Sequence, residues 1–185
     1  MSEATARPAS GDGGSAKSVF LVGCMGAGKS TVGRQLARSL NRPFFDSDRV
    51  IEERTGASIP LIFEREGESG FREREAQVID ELTAQPSIVL ATGGGAVLLP
   101  ENREHLRHRG LVVYLEATLN QLVERTRGDR SRPLLMNTDP RERLQELLQQ
   151  RDPLYRGVAH LIVPTAHRTV RQLTNLIAME LDRPC

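Results

Sequence analysis

The sequence predicts an α/β fold: a five-stranded parallel sheet flanked by helices. Three observations carry that expectation. From Ser18 onward, short apolar runs alternate with stretches of helical periodicity, the pattern of repeated strand–helix units. The runs are apolar almost throughout rather than every second residue, as befits strands covered on both faces. Finally, the residues with chemical character cluster just after the first, second and third runs, where ligands bind at the carboxyl ends of parallel strands.

Taken in order, "SVFLVG" is the first strand, and "KSTVGRQLARSL" follows with apolar residues at helical spacing. "RPFFDSD" is a second strand ending in acids, and "RVIEERTG" a helix closed by Gly56, a residue that accepts the left-handed conformation common past a helix end. "SIPLIFEREGESGFREREAQVIDELTAQ" reads as mostly helical, broken near Gly67 and Gly70, with Glu75, Val78, Ile79 and Leu82 setting the period of its second part. "PSIVLATGGG" is a strand and a glycine turn. "PENREHLRHRG" is a short helix with a proline start and a glycine stop. "LVVYLEA" is the fourth strand, and "TLNQLVERTRG" a helix with Thr118 as N-cap. Arg127 to Asp139 is rich in arginine and turn formers and long enough to be a lid. "PRERLQELLQQRDPLY" reads as helical until Pro153, where a proline would end it. "VAHLIVPT" is the fifth strand and "RTVRQLTNLIAMEL" the closing helix.

The chain has 185 residues, enough for one domain with a substantial core. That domain is placed at 17–185, behind a flexible tail over 1–16 rich in Ala, Ser, Gly and Pro. A formal net charge of +1 gives no overall electrostatic reason to expect nucleic acid or an anionic membrane as partner. Cys24 and Cys185 make no disulfide framework, and no apolar run approaches the roughly 20 residues of a membrane span. A cytoplasmic monomer is therefore the expectation.

Gly23-Cys24-Met25-Gly26-Ala27-Gly28-Lys29-Ser30 fits G-x-x-x-x-G-K-[ST] in full, with an apolar strand before it and an amphipathic helix after it. Glycines let backbone N–H groups converge on phosphate oxygens, and the helix N-terminus adds partial positive charge. Lys29 supplies a full charge for the β- and γ-phosphates, and the Ser30 hydroxyl can meet Mg²⁺. The motif says nucleotide, not reaction. No guanine-reading N-K-x-D follows a later strand, which argues against a GTPase.

Asp46 and Asp48 close the second strand. Like charges so close call for a cation between them, and they diverge if a turn begins between them. Arg72, Arg74 and Glu75 lie in "GESGFREREA", Gly93 to Gly95 follow the third strand, and Arg156 lies in "RDPLYRG" just before the fifth. In this order and at these separations, GxxGxGKS, "DSD", "GExxFRxxE", "GGG", "RPLL" and "PLYR" resemble the shikimate kinases, a family with a three-layer P-loop kinase fold and a mobile lid. The resemblance spans Ser18 to Leu181.

It implies an ATP- and Mg²⁺-dependent kinase acting on the 3-hydroxyl of shikimate. Asp48 would bind the acceptor hydroxyls and take the proton of the attacking one, while Asp46 and Ser30 would hold Mg²⁺. Gly26, Ala27, Gly28, Lys29, Ser30 and Thr31 would bind the nucleotide, with Arg125 packing on the adenine and Arg168, with Pro164, as further candidates there. Arg72 and Arg156 would grip the shikimate carboxylate, Glu75 would brace Arg72, and the backbone of Gly93, Gly94 and Gly95 would line the site. Arg132, in a lid over about 127–139, would swing onto the phosphates, making Asp48, Lys29 and Arg132 the catalytic set. Acceptor-binding helices are expected over about 47–75. The chemistry suits these roles: arginine offers a carboxylate two parallel charge-assisted hydrogen bonds, and phosphoryl transfer asks mostly for positioning and positive charge. The alternatives are a kinase of another small acid such as gluconate, and a catalytically silent nucleotide-binding regulator.

Overall fold

The structure is a computed structural model that describes residues 17–129 and 132–182. The expected tail over 1–16 lies outside the described residues, as do Arg130 and Ser131 of the expected lid. Five strands form one parallel sheet: β1 (Ser18–Val22), β2 (Phe44–Asp46), β3 (Val89–Ala91), β4 (Gly110–Glu116) and β5 (Leu161–Pro164), in the spatial order β2-β3-β1-β4-β5. Among the described residues seven α-helices connect and cover it: α1 (Lys29–Leu40), α2 (Ser47–Thr55), α3 (Ile59–Thr83), α4 (Pro100–Arg109), α5 (Leu119–Thr126), α6 (Pro140–Val158) and α7 (Val170–Leu181). The expected fold class and strand order along the chain hold.

All five residues of β1 are buried. It lies between β3, with Val19 opposite Val89, and β4, with Val19 opposite Leu111. A strand with a neighbour on each side and a helical layer on each face has nowhere to expose a side chain, which is why its sequence is apolar without alternation. The chain leaves β1 for β2, beyond β3, and later returns to β4 on the other side. The order reverses at β1, and its carboxyl end opens a crevice there.

Local signals set the helix ends. Thr118 and Thr169 each build a reciprocal capping box, with Gln121 and Gln172. Ser58 caps α3, and Gly56 closes α2 with φ 66°. Two expectations fail. Within α3 only Gly67, at φ 70° and ψ −179°, leaves helical geometry; Gly70 stays in the helix. And α6 does not stop at Pro153 but runs through it to Val158. Its buried residues Leu144, Leu147, Arg151, Tyr155 and Val158 recur at helical spacing. Burying that stripe outweighs the roughly 3 kcal/mol that an interior proline costs a helix. No helix among the described residues is long and apolar enough to cross a membrane.

Candidate active site

The glycine-rich turn begins where β1 ends. Gly28 caps α1 in the left-handed conformation, φ 97° and ψ 17°, and beyond its adjoining backbone no described atom lies within 4 Å of where its Cβ would be. That open space over a helix N-terminus is what an anion needs. Lys29 is 8% exposed, and its Nζ donates to Gly23 O (2.8 Å) and Cys24 O (3.0 Å). Burial pulls its pKa down to about 8. The ammonium is thus held beside the cradle, largely stripped of water and facing carbonyls, so a polyphosphate would be a stronger partner than those it has.

A cleft of about 610 Å³ opens from this turn. Gly26, Ala27, Gly28, Ser30 and Thr31 line it, and Arg125 and Arg168 stand at its rim. Arg125 donates to Gly26 O (3.2 Å) and Ala27 O (3.3 Å), and Arg168 to Pro164 O (2.6 Å). At the foot of the cradle the Ser30 hydroxyl donates to Asp46 Oδ2 at 2.5 Å. The other oxygen of Asp46 caps α2, accepting from the Asp48 amide at 3.1 Å. The turn therefore begins between the two aspartates, and they diverge: Asp46 stays with the phosphate cradle while Asp48 enters the first turn of α2. Among the described residues no three His, Cys, Asp or Glu side chains cluster as a metal cage. A divalent cation would fit the Ser30–Asp46 pair, with phosphate oxygens and water completing its shell.

A second, smaller cavity of about 60 Å³ adjoins the cleft. Arg72, Glu75, Gly95 and Arg151 line it, with Phe63 and Phe71 as an apolar wall. Asp48, Gly93, Gly94 and Arg132 line both cavities, so they stand where the two meet. Arg72 donates to Glu75 Oε2 (2.7 Å) and Glu68 Oε1 (3.1 Å). Burial raises the Glu75 carboxyl against the pull of Arg72. Burial, and then the charge of Asp46, raise Asp48, while Arg132, Lys29 and Arg72 pull it back. Among the described residues, buried side-chain atoms without a hydrogen-bond partner include Asp48 Oδ1, Arg72 Nε, Glu75 Oε1 and Arg151 Nε. Each such group costs about 1–3 kcal/mol unless something pairs with it. Four of them around one small cavity, two cationic and two acidic, describe a site for a compact ligand bearing both an anionic group and hydroxyls.

The triple-glycine turn admits close approach. A Cβ on Gly93 would lie 2.7 Å from both Asp48 Oδ1 and Glu75 Oε1, and one on Gly95 would collide with the Arg72 guanidinium. The Gly93 amide already donates to Ser47 Oγ at 2.9 Å, so the amides left for a ligand are those of Gly94 and Gly95.

One expected residue is not brought to the site. Arg156 lies outside both cavities, with its side chain 45% exposed, and is paired with Asp152 (2.8 Å) and Glu116. Arg151 is there instead, 3% exposed. The cause is the helix that fails to stop. Five residues along an unbroken α-helix turn a side chain by roughly 140°, so when Arg151 faces the pocket Arg156 faces solvent. The signal was available in the spacing of Leu144, Leu147, Arg151 and Tyr155, which puts Arg151 on the core-facing stripe. Arg132 donates from Nε to Asp129 at 3.0 Å; with Pro133 and Leu134 it lines the smaller cavity.

The family model described as SKI, shikimate kinase, matches residues 25–182. A shikimate kinase of Ralstonia nicotianae is 59% identical over 168 residues, covering 91% of this chain and 88% of the relative. A solved shikimate kinase from Acinetobacter baumannii, in complex with shikimate, superposes with a TM-score of 0.87 at 51% identity, covering 89% of this chain and 92% of that one. A gluconokinase from Sinorhizobium meliloti 1021 shares the fold alone, with a TM-score of 0.55 at 17% identity over 90% and 92% of the two chains.

Proposed function

The chain belongs to the shikimate kinase family, and on that premise we propose how its residues divide the work. The enzyme is an ATP-dependent small-molecule kinase that transfers the γ-phosphoryl of ATP to shikimate, at the 3-hydroxyl. One observation carries the assignment of residues: an anion- and hydroxyl-matching pocket meets the phosphate cleft at Asp48 and Arg132.

Gly26 to Thr31 hold the nucleotide phosphates through backbone amides, with Lys29 on the β- and γ-phosphates. Arg125 and Arg168 flank the adenine end. Ser30 and Asp46 would hold Mg²⁺, which would neutralise phosphate charge. Arg72 and Arg151 clamp the shikimate carboxylate, and Glu75 fixes the plane of the Arg72 guanidinium. Asp48 receives the hydroxyl that attacks. As its oxygen bonds to the γ-phosphorus, the bond from that phosphorus to the bridging oxygen breaks, ADP departs, and the hydroxyl proton passes to Asp48. Burial raises the Asp48 carboxyl above its ordinary value, so the transfer is less uphill than to an ordinary carboxylate. Lys29 and Arg132 stabilise the charge spread over the transferring oxygens. Closure of the segment about Arg132 excludes water as a competing acceptor.

The test is a panel of small hydroxy-acids with ATP and Mg²⁺, read as ADP formation. Shikimate should stimulate it and gluconate should not; the reverse result would overturn the reading.

A further inference from the structure

The Tyr155 ring is fully buried and lies on Tyr114, with centroids 5.0 Å apart. Its hydroxyl donates to Gly94 O at 2.5 Å. Arg151 Nη1 lies 3.5 Å from where a Gly94 Cβ would be, so its charge is felt at the same hydroxyl. Behind Tyr155, α6 is tied to β4 by a chain of polar contacts: Tyr114 donates to Asp152 Oδ1 (2.8 Å), Arg156 to Asp152 Oδ2 (2.8 Å), and Arg156 to Glu116. The hydroxyl is therefore carried on a fixed ring.

Its bond matters because of what shares the peptide it holds. Gly94 C=O and Gly95 N–H belong to one planar trans unit and point in opposite directions. Anchoring the carbonyl on Tyr155 aims the Gly95 amide the other way, toward the side lined by Arg72 and Asp48. Glycine on both flanks removes the steric barrier that would otherwise resist a rotation of this peptide. The neighbouring anchors do not fix it: Gly93 N is held by Ser47 (2.9 Å), and Gly95 O accepts from Leu98 N (3.0 Å). Resting on the reading of this pocket as the acceptor site, we infer that Tyr155 is a positioning residue: its hydroxyl sets the Gly94–Gly95 peptide so that the Gly95 amide serves the acceptor.

Tyr155→Phe keeps the ring and removes only the hydroxyl. In the full chain it should raise the KM for shikimate roughly five- to twentyfold, the scale of one hydrogen bond, and leave the KM for ATP within about twofold. Tyr114→Phe serves as the comparison, since it loses a hydroxyl bond from the stacked ring without touching the turn; its shikimate KM should stay within about twofold. Hydrogen–deuterium exchange without substrate should show the peptide spanning Thr92 to Val97 exchanging faster in Tyr155→Phe and unaltered in Tyr114→Phe. A shikimate KM unchanged in Tyr155→Phe, equal rises in both Michaelis constants, or unaltered exchange at the turn would overturn the inference. If shikimate does not stimulate the unmodified enzyme, the functional reading fails, and the exchange experiment still decides what Tyr155 does.

Discussion

Replacing Arg151 by lysine separates the pocket seen in the structure from the one the sequence motif suggested. The Arg151 side chain is buried, and its Nε has no partner among the described residues. Lysine keeps the charge but loses the planar fork that meets two carboxylate oxygens at once. The loss is at least one charge-assisted hydrogen bond, about 1.5–3 kcal/mol. At about 1.4 kcal/mol per factor of ten, the KM for shikimate should rise roughly 10- to 150-fold. The turnover number at saturating shikimate should change much less, because a clamp on the carboxylate acts alike in ground and transition states. The KM for ATP should stay within about twofold. Arg156→Lys is the matched control: it sits on an exposed helix face paired with Asp152 and Glu116, and its shikimate KM should barely move. Both variants can be read in a coupled assay of ADP release with shikimate varied at saturating ATP. A large rise for Arg156→Lys with none for Arg151→Lys would refute the reasoning and restore the sequence-based assignment.

Asp48→Asn should abolish turnover while calorimetry shows ATP bound nearly as before; a collapse of nucleotide affinity would move Asp48 to the phosphate side. Arg132→Ala should lower the turnover number more than it weakens shikimate binding, as for a contact made to developing charge, and the opposite split would make it a binding residue. Lys29 gives a pH dependence. Burial holds its pKa at about 8 in the free protein, and bound phosphates favour the charged form, so binding takes up a proton once the pH passes that value. Nucleotide affinity should be level below about pH 7.5 and fall toward tenfold per unit above about pH 8, with proton uptake visible in buffers of different ionisation enthalpy. A flat affinity from pH 7 to 9.5 would show that Lys29 is not the group that pairs with the phosphates.

Much of the architecture was legible in the chain. Residues such as Val19 to Val22 meet apolar neighbours on every side, so burial demands an unbroken apolar run, and that run can be read directly. The glycine-rich turn was legible for a similar reason: backbone amides must converge within one short segment, so the whole device lies in consecutive residues. Thr118 was equally local, since a cap bonds within its own first turn. Gly70 misled because glycine permits a break without requiring one, and Pro153 misled because the cost of an interior proline is local while the packing that offsets it comes from segments distant in sequence.

By itself, then, the sequence determined what depends on neighbours along the chain: the alternation of strands and helices, the phosphate cradle, the caps, and the presence of arginines and acids suited to a small anionic acceptor. Only the tertiary structure decided which of those side chains share a cavity. Whether Arg151 or Arg156 reaches the acceptor turns on the continuity of α6, and whether Asp46 serves the cradle and Asp48 the acceptor turns on where β2 yields to α2. Tyr155 could be found only there, because its partner, Gly94, is far away in sequence and is brought to it by the packing of α6 against the turn that follows β3. Helical rotation and long-range packing set these directions, and neither is written in any one stretch of residues.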